Sequence, residues 1–322
     1  MSKFPEGYRL GPYRVVRLIG EGGMGAVYEA RQETLDRRVA VKTLHADFAR
    51  NQEVVARFFN EAKVLSRLEH PCIVQVFDFG KTEDGTSYLA MEFLRGEPLS
   101  RRLRQLTEQN RRLPVPTALQ IAWQVADVLA VAHSRGIVHR DLKPDNLMLV
   151  ADPIAPGGER VKILDFGIAK LAMGTGQPGG MMTRTGVLMG TPTYMAPEQC
   201  RGDMAVDDRT DVYALGVILY QMLAGRPPFF GGGDGEVIAA HIYAAPRSPR
   251  QYDPGIPDDV EELVFRLLAK QPDARPRMKE VAATLEALGV KSTGVLSSNG
   301  GMSVLTPGSP RRWAPPPACP SR

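Results

Sequence analysis

"GEGGMGAVYEARQETLDRRVAVK", Gly20 to Lys42, carries a G-x-G-x-x-G spacing at Gly20, Gly22 and Gly25. Two architectures use that spacing. In one, the glycines open a helix beneath a dinucleotide, and an acidic residue follows ~20 positions later. In the other, they form the tip of a β-hairpin over nucleotide phosphates. The residues after Gly25, "AVYEARQ", alternate and have no helical face, so the strand continues. "VAVK" comes next and ends in Lys42. Strands on both sides of the glycines and a lysine behind them predict the hairpin.

The chemistry of such a hairpin is simple. Glycines let backbone N–H groups approach phosphate oxygens without Cβ clashes. Val27 and Ala40 would lie against a base, and Lys42 would bring a point charge to the phosphates. A lysine on a buried strand face needs a carboxylate partner. Glu61, in "FFNEAKVL", lies downstream of Lys42 in the next periodic segment. Val54, Phe58, Ala62 and Leu65 recur around it at helical spacing, so Glu61 is the expected partner.

Working outward, "YRVVRLIG", "RRVAVKTL", "IVQVFDFG" and "SYLAMEFL" read as further strands, and "NQEVVARFFNEAKVLSRL" as a helix ended by His70-Pro71. After Gly96 the pattern turns helical. "TALQIAWQVADVLAVAHSRG" places Ile121, Val125, Val128, Leu129 and Ala132 on one face and stops at Gly136. "TDVYALGVILYQMLAG" is apolar nearly all round, which predicts a central core helix. "DDVEELVFRLLAK" and "KEVAATLEALG" are amphipathic. Strands followed by helices predict an α+β chain of two segregated lobes. From Val290 onward the chain is rich in Gly, Ser and Pro without periodicity, so a disordered tail is expected over 289–322. "TPGSP" and "PPP" there could dock a proline-reading module, or form a plain flexible end.

"HRDLKPDN", His139 to Asn146, packs three chemical roles into one short segment. Asp141 can accept or orient the proton of an attacking hydroxyl. Lys143 can neutralise charge on a transferred phosphoryl group. Asn146 is an uncharged oxygen ligand suited to Mg²⁺, and Asp165 of "DFG" is a second. Phosphoryl transfer asks the protein mainly for positioning and charge neutralisation, and this residue set supplies both.

With "GTPTYMAPE", "DVYALG" and "DARPRM" in the same order, the chain resembles a eukaryotic-like serine/threonine protein kinase of the bacterial type from about Tyr13 to Leu288. The resemblance implies a bilobal kinase fold over 13–288. A small, mostly antiparallel β N-lobe (13–95) would carry one main helix, and the larger C-lobe (96–288) would be mostly helical. It also implies ATP, with Mg²⁺ or else Mn²⁺, in a cleft. The ATP site would comprise Ile19, Gly20, Glu21, Gly22, Gly23, Met24, Gly25, Ala26, Val27, Ala40 and Lys42. Met91 would be the gatekeeper, Glu92 to Leu94 the hinge and Met148 the floor under adenine. Asp141, Lys143, Lys42 and Glu61 would be catalytic, and Asn146 and Asp165 metal ligands. Glu198 would pair with Arg275, and Asp211 would brace the catalytic loop. Lys143 and Thr191 follow the pattern for Ser/Thr hydroxyls of protein substrates.

Two departures stand out. More chain separates Asn146 from Asp165 than the family usually shows, and the extra "ADPIAPGGER" predicts an extended hairpin tip. "TEQNRRLP" predicts a second, surface insertion. The segment between Asp165 and Glu198 is flexible by composition and holds Thr183 and Thr185. Phosphorylation of either, in trans between two copies, would add charge that the Arg140 guanidinium could grip and would raise activity.

Composition narrows the classes. Net charge is +4 over 322 residues, with no run of Lys or Arg interleaved with aromatics, so nucleic acid is not an expected partner. Three scattered cysteines point to a reducing, cytoplasmic compartment. The N-terminus lacks a signal-peptide core, and no apolar run of the ~18 residues needed for a membrane span is read. A pseudokinase scaffold and a small-molecule kinase remain alternatives. Intact Lys42, Asp141, Asn146 and Asp165 argue against the first, and complete "GTPTY" and "APE" segments against the second.

Overall fold

The computed structural model describes residues 4–23, 25–49, 51–165, 192–203 and 206–289. Six strands form the first sheet: β1 (Arg9–Leu10), β2 (Tyr13–Gly22), β3 (Gly25–Gln32), β4 (Arg37–Leu44), β5 (Val76–Lys81) and β6 (Ser87–Glu92). Their order is β1-β2-β3-β4-β6-β5, antiparallel throughout. A short helix, α1 (Ala46–Ala49), leads into α2 (Gln52–Arg67), which lies between β4 and β5 in sequence.

Alternation along β4 separates two cores, because successive side chains point to opposite faces. Val39 and Val41 join Tyr13, Tyr28, Tyr88 and Ala90 on one face. Ala40 turns the other way, into the core containing Leu89, Met91 and the α2 residues Val54, Phe58 and Ala62. The outer face also takes Phe4 and Leu10, so the packed lobe begins before Tyr13. These apolar residues cover a sheet face that would otherwise meet water.

The second part begins with a three-stranded sheet, β7 (Gly96–Pro98), β8 (Leu147–Ala151) and β9 (Glu159–Ile163), in the order β7-β8-β9. Its helices are α3 (Leu99–Glu108), α4 (Val115–Ser134), α5 (Pro197–Arg201), α6 (Arg209–Ala224), α7 (Asp234–Tyr243), α8 (Asp258–Leu267) and α9 (Met278–Ala287). Helix α6 is buried along nearly its whole circumference, as its apolar sequence predicts. A Cβ on Gly216 would sit 2.7 Å from Leu267 Cβ, so glycine is what lets α6 and α8 approach this closely. The β9 strand docks onto the segment before β5: Ile163 N–H donates to Cys72 O at 2.7 Å, and Val74 N–H to Ile163 O at 3.3 Å.

Several boundaries differ from the sequence expectation. Helix α2 stops at Arg67, short of His70-Pro71. The insertion 107–114 is not wholly superficial, because its first two residues end α3 and Leu113 is buried. Helix α4 is not amphipathic but buried on several faces, including Ala118, Ala122, Val125 and Leu129. By length and composition it is also long and apolar enough to cross a membrane, which corrects the reading that no run reaches that length; most of it is covered by the rest of the fold. The expected tip over 151–160 is a hairpin between β8 and β9. Arg160 Nε pairs with Asp152 at 2.5 Å across its base.

Candidate active site

The glycine stretch is a hairpin. Gly22 and Gly25 face each other at the ends of β2 and β3, so the chain reverses between them; Met24 lies outside the described residues. The three motif glycines do not share one role. Cβ atoms built on Gly20 or Gly23 would meet nothing within 4 Å, and one on Gly22 only Gly25 O at 3.9 Å. A Cβ on Gly25 would fall 1.9 Å from Thr43 O of β4. Gly25 is therefore required by strand packing. Gly25→Val should cost about 1–3 kcal/mol or more through overpacking against backbone. Gly22→Val should fold normally and raise the KM for ATP on the order of 10-fold. Thermal melts and ATP kinetics on the two purified variants check the split.

Register places Val27 opposite Lys42, Lys42 opposite Leu89, and Ala40 opposite Met91. Cross-strand partners share a face, so Val27, Ala40, Lys42 and Met91 line one surface of the sheet. Ala40 and Met91 are buried, Val27 and Leu94 half-buried, and Ile19 and Glu21 exposed. Ala26 points the other way, into the outer core. Met148 lies on the face of β8 opposite its buried neighbours Leu147 and Leu149. Glu92 closes β6, but its carboxylate is engaged elsewhere. Lys162 Nζ donates to Glu92 Oε1 at 2.5 Å and to Ile73 O at 3.1 Å, and Gln75 N–H donates to Glu92 Oε1 at 2.8 Å. The end of β6 is thus tied to β9. Lys162 was missed in the sequence, although a cation flanked by apolar residues in "VKIL" was the available signal.

Lys42 Nζ makes an ion pair with Asp165 Oδ1 at 2.7 Å. Burial pushes the Asp165 carboxyl up, but the Lys42 charge and hydrogen bond outweigh it and hold the group below the ordinary aspartate range. Helix α2 carries Glu61 at the expected position, but its side chain lies outside the described residues.

The catalytic-loop segment is held from below. Asp211, fully buried in the first turn of α6, accepts the His139 N–H on Oδ2 and the Arg140 N–H on Oδ1, both at 2.8 Å. It also meets His133 Nε2 at 2.7 Å. Burial pushes its carboxyl up, yet these donors keep it low. The bonds hold Arg140 at φ +64°, a left-handed conformation that a non-glycine residue seldom adopts. Gln199 of α5 adds a bond to Arg140 O at 2.9 Å. Asn146 Nδ2 donates to Asp141 O at 2.9 Å, which leaves Oδ1 as the amide's remaining ligand atom. Lys143 Nζ stands 3.5 Å from Asp141 Oδ2. Arg140 Nε is buried with no hydrogen-bond partner among the described residues.

Glu198 and Arg275 form a buried fork: Nη1 to Oε1 at 2.7 Å and Nη2 to Oε2 at 2.8 Å. Thr183, Thr185 and Thr191 lie outside the described residues. Among the described residues no group of three or more His, Cys, Asp or Glu comes together for a metal ion. The candidate metal ligands are two, Asn146 and Asp165. That number suits an ion completed by waters and phosphates.

Known proteins resemble the chain along this same span. The model of the protein kinase domain family matches residues 13–285. The chain is 42% identical over 279 residues to the serine/threonine-protein kinase pkn3 of Myxococcus xanthus, covering 86% of this chain and 50% of that protein. It is 41% identical over 271 residues to PknA of Mycobacterium tuberculosis, covering 83% and 58% respectively. The chain thus spans about half the length of these relatives. The crystal structure of the Mycobacterium tuberculosis PknI kinase domain superimposes with a TM-score of 0.67 at 28% identity, covering 88% of this chain and 99% of that one. The family model covers most of the chain, including the hairpin, the lysine strand, the catalytic loop and the buried fork, and the chain belongs to the protein kinase family.

Proposed function

We propose that the chain is an active serine/threonine protein kinase that transfers the ATP γ-phosphate to Ser or Thr hydroxyls of protein substrates. The observation that carries this is the meeting of Asp141, Lys143 and Asn146 on one loop braced by Asp211, together with the Lys42–Asp165 pair. The catalytic domain is taken as 13–288, with lobes over 13–95 and 96–288, the core of the first also packing Phe4 and Leu10, and a tail over 289–322. In this reading ATP lies under the β2–β3 hairpin, with Val27, Ala40, Met91 and Met148 about the base and the Glu92–Leu94 backbone at its edge. Lys42 faces the phosphates, with Glu61 holding it. Asn146 and Asp165 would hold Mg²⁺, which supplies neutralisation of phosphate charge when bound. Asp141 orients the substrate hydroxyl and accepts its proton, and Lys143 offsets charge on the transferred group.

Arg140 Nε, buried without a hydrogen-bond partner among the described residues, supports a phosphate-binding role for that guanidinium. Thr183 and Thr185 are the proposed targets, modified in trans by a second copy. The low cysteine content supports a cytoplasmic, reducing setting. Protein incubated with radiolabelled ATP and Mg²⁺ should label a generic basic protein and itself, with phosphate on Thr183 or Thr185. The double alanine variant should lose most of its substrate labelling. An unlabelled basic protein alongside a labelled small metabolite would refute the protein-substrate reading.

A further inference from the structure

At the mouth of the hairpin three strands end in one row. Gly22 of β2 faces Gly25 of β3, and Gly25 faces Leu44 of β4. His45 follows Leu44, and its half-buried ring reaches back across this row to place Nε2 3.0 Å from Gly22 O. A carbonyl only accepts, so Nε2 carries the proton of that bond. The same nitrogen lies 3.8 Å from Glu21 Oε1. One imidazole can span the row because the strand between is so closely packed. A Cβ at Gly25 would overlap Thr43 O, so no side chain stands in the way. The base of the ring is itself anchored: His45 O accepts the Phe48 and Ala49 N–H groups, both at 3.0 Å, at the start of α1.

We infer that His45 is a positioning residue that latches the glycine-rich hairpin to the strand bearing Lys42. With Gly22 O held, the hairpin end and Lys42 move as one body. Without it, the glycines regain backbone freedom that nucleotide binding must then remove. The latch acts before chemistry, so its loss is felt in the KM for ATP and not in kcat. This inference rests on the reading that the hairpin covers ATP.

The test compares wild type, His45→Ala, His45→Gln and Gly22→Val. KM for ATP and kcat are measured with Mg-ATP, and amide hydrogen exchange is followed across residues 20–25. One hydrogen bond of ordinary net strength corresponds to roughly a 3- to 10-fold change. His45→Ala should raise KM by that factor, leave kcat within about twofold and speed exchange in the hairpin. His45→Gln should recover most of the loss, since its amide offers a donor of similar reach. If Gly22→Val raises KM while His45→Ala matches wild type in KM and exchange, the latch is wrong and the lid stands. A Gln variant as impaired as the Ala variant also refutes the donor role. If neither Gly22→Val nor His45→Ala alters KM, the lid reading itself fails.

Discussion

Asp141→Asn should lower kcat by ~10²- to 10⁴-fold, the range for removal of a positioned general base, with little change in melting temperature. The substitution keeps shape, and other groups hold the backbone of the loop. Asp211 holds the neighbouring N–H groups, and Asn146 Nδ2 donates to the Asp141 backbone carbonyl. What is lost is a charge beside Lys143 and the lone pair best suited to a hydroxyl proton. KM for ATP should stay within a few-fold, because the nucleotide is assigned to Lys42 and the hairpin. Steady-state kinetics with a protein substrate and a thermal melt decide it. A variant with at least a third of the wild-type kcat would remove Asp141 from the chemistry.

Arg275→Met should be the most destabilising of these substitutions, by about 3–5 kcal/mol, because it leaves the buried Glu198 charge without its partner. All five guanidinium N–H groups are used. Two go to Glu198, and the others go to Ala269 O, Arg209 O and Lys270 O at 2.7, 3.0 and 3.1 Å. The side chains of Arg275 and Glu198 are 0% and 4% exposed. Chemical denaturation of both proteins measures the loss, and a difference below about 1 kcal/mol would be incompatible with it. The pH dependence has a defined sign. Burial pushes the Glu198 carboxyl up, but the Arg275 hydrogen bonds and charge outweigh it, so its folded value lies below the ordinary glutamate value of 4.5. Its contribution is full above about 4.5 and is lost as pH falls through the lower folded value. In the variant the Thr210 hydroxyl still donates to Glu198 Oε1 at 2.8 Å, but burial has lost its main opponent. The gap between wild type and Arg275→Met should therefore narrow as pH drops below about 4.5.

Part of this architecture is legible in the chain itself. Alternation after Gly25 marks a strand rather than a helix, because side-chain direction in a strand reverses at each step along the backbone. The same rule puts Val39 and Val41 on one face and Ala40 and Lys42 on the other. The chemistry within "HRDLKPDN" is legible because its residues are close in sequence and only a tight loop is needed to join them. The pairing of Glu198 with Arg275 and the bracing role of Asp211 came from family resemblance, not from any local pattern.

Other features depend on segments that meet only in the folded chain. Helix α4 reads as amphipathic, yet α6, α9 and the β8–β9 hairpin pack about it, and periodicity cannot register several partners at once. Gly25 reads as a phosphate-contacting glycine, and the strand beside it makes it a packing glycine. Glu92 reads as hinge, and Lys162, far along the chain, claims its carboxylate. His45 carries no motif at all, and its place at Gly22 follows from three strand ends falling into register. Local sequence sets which backbone shapes and chemical groups are available, since those preferences act over a few bonds. Which donor meets which acceptor from a distant part of the chain is set by how the sheets and helices pack, and that geometry exists only once the apolar faces have been buried against one another.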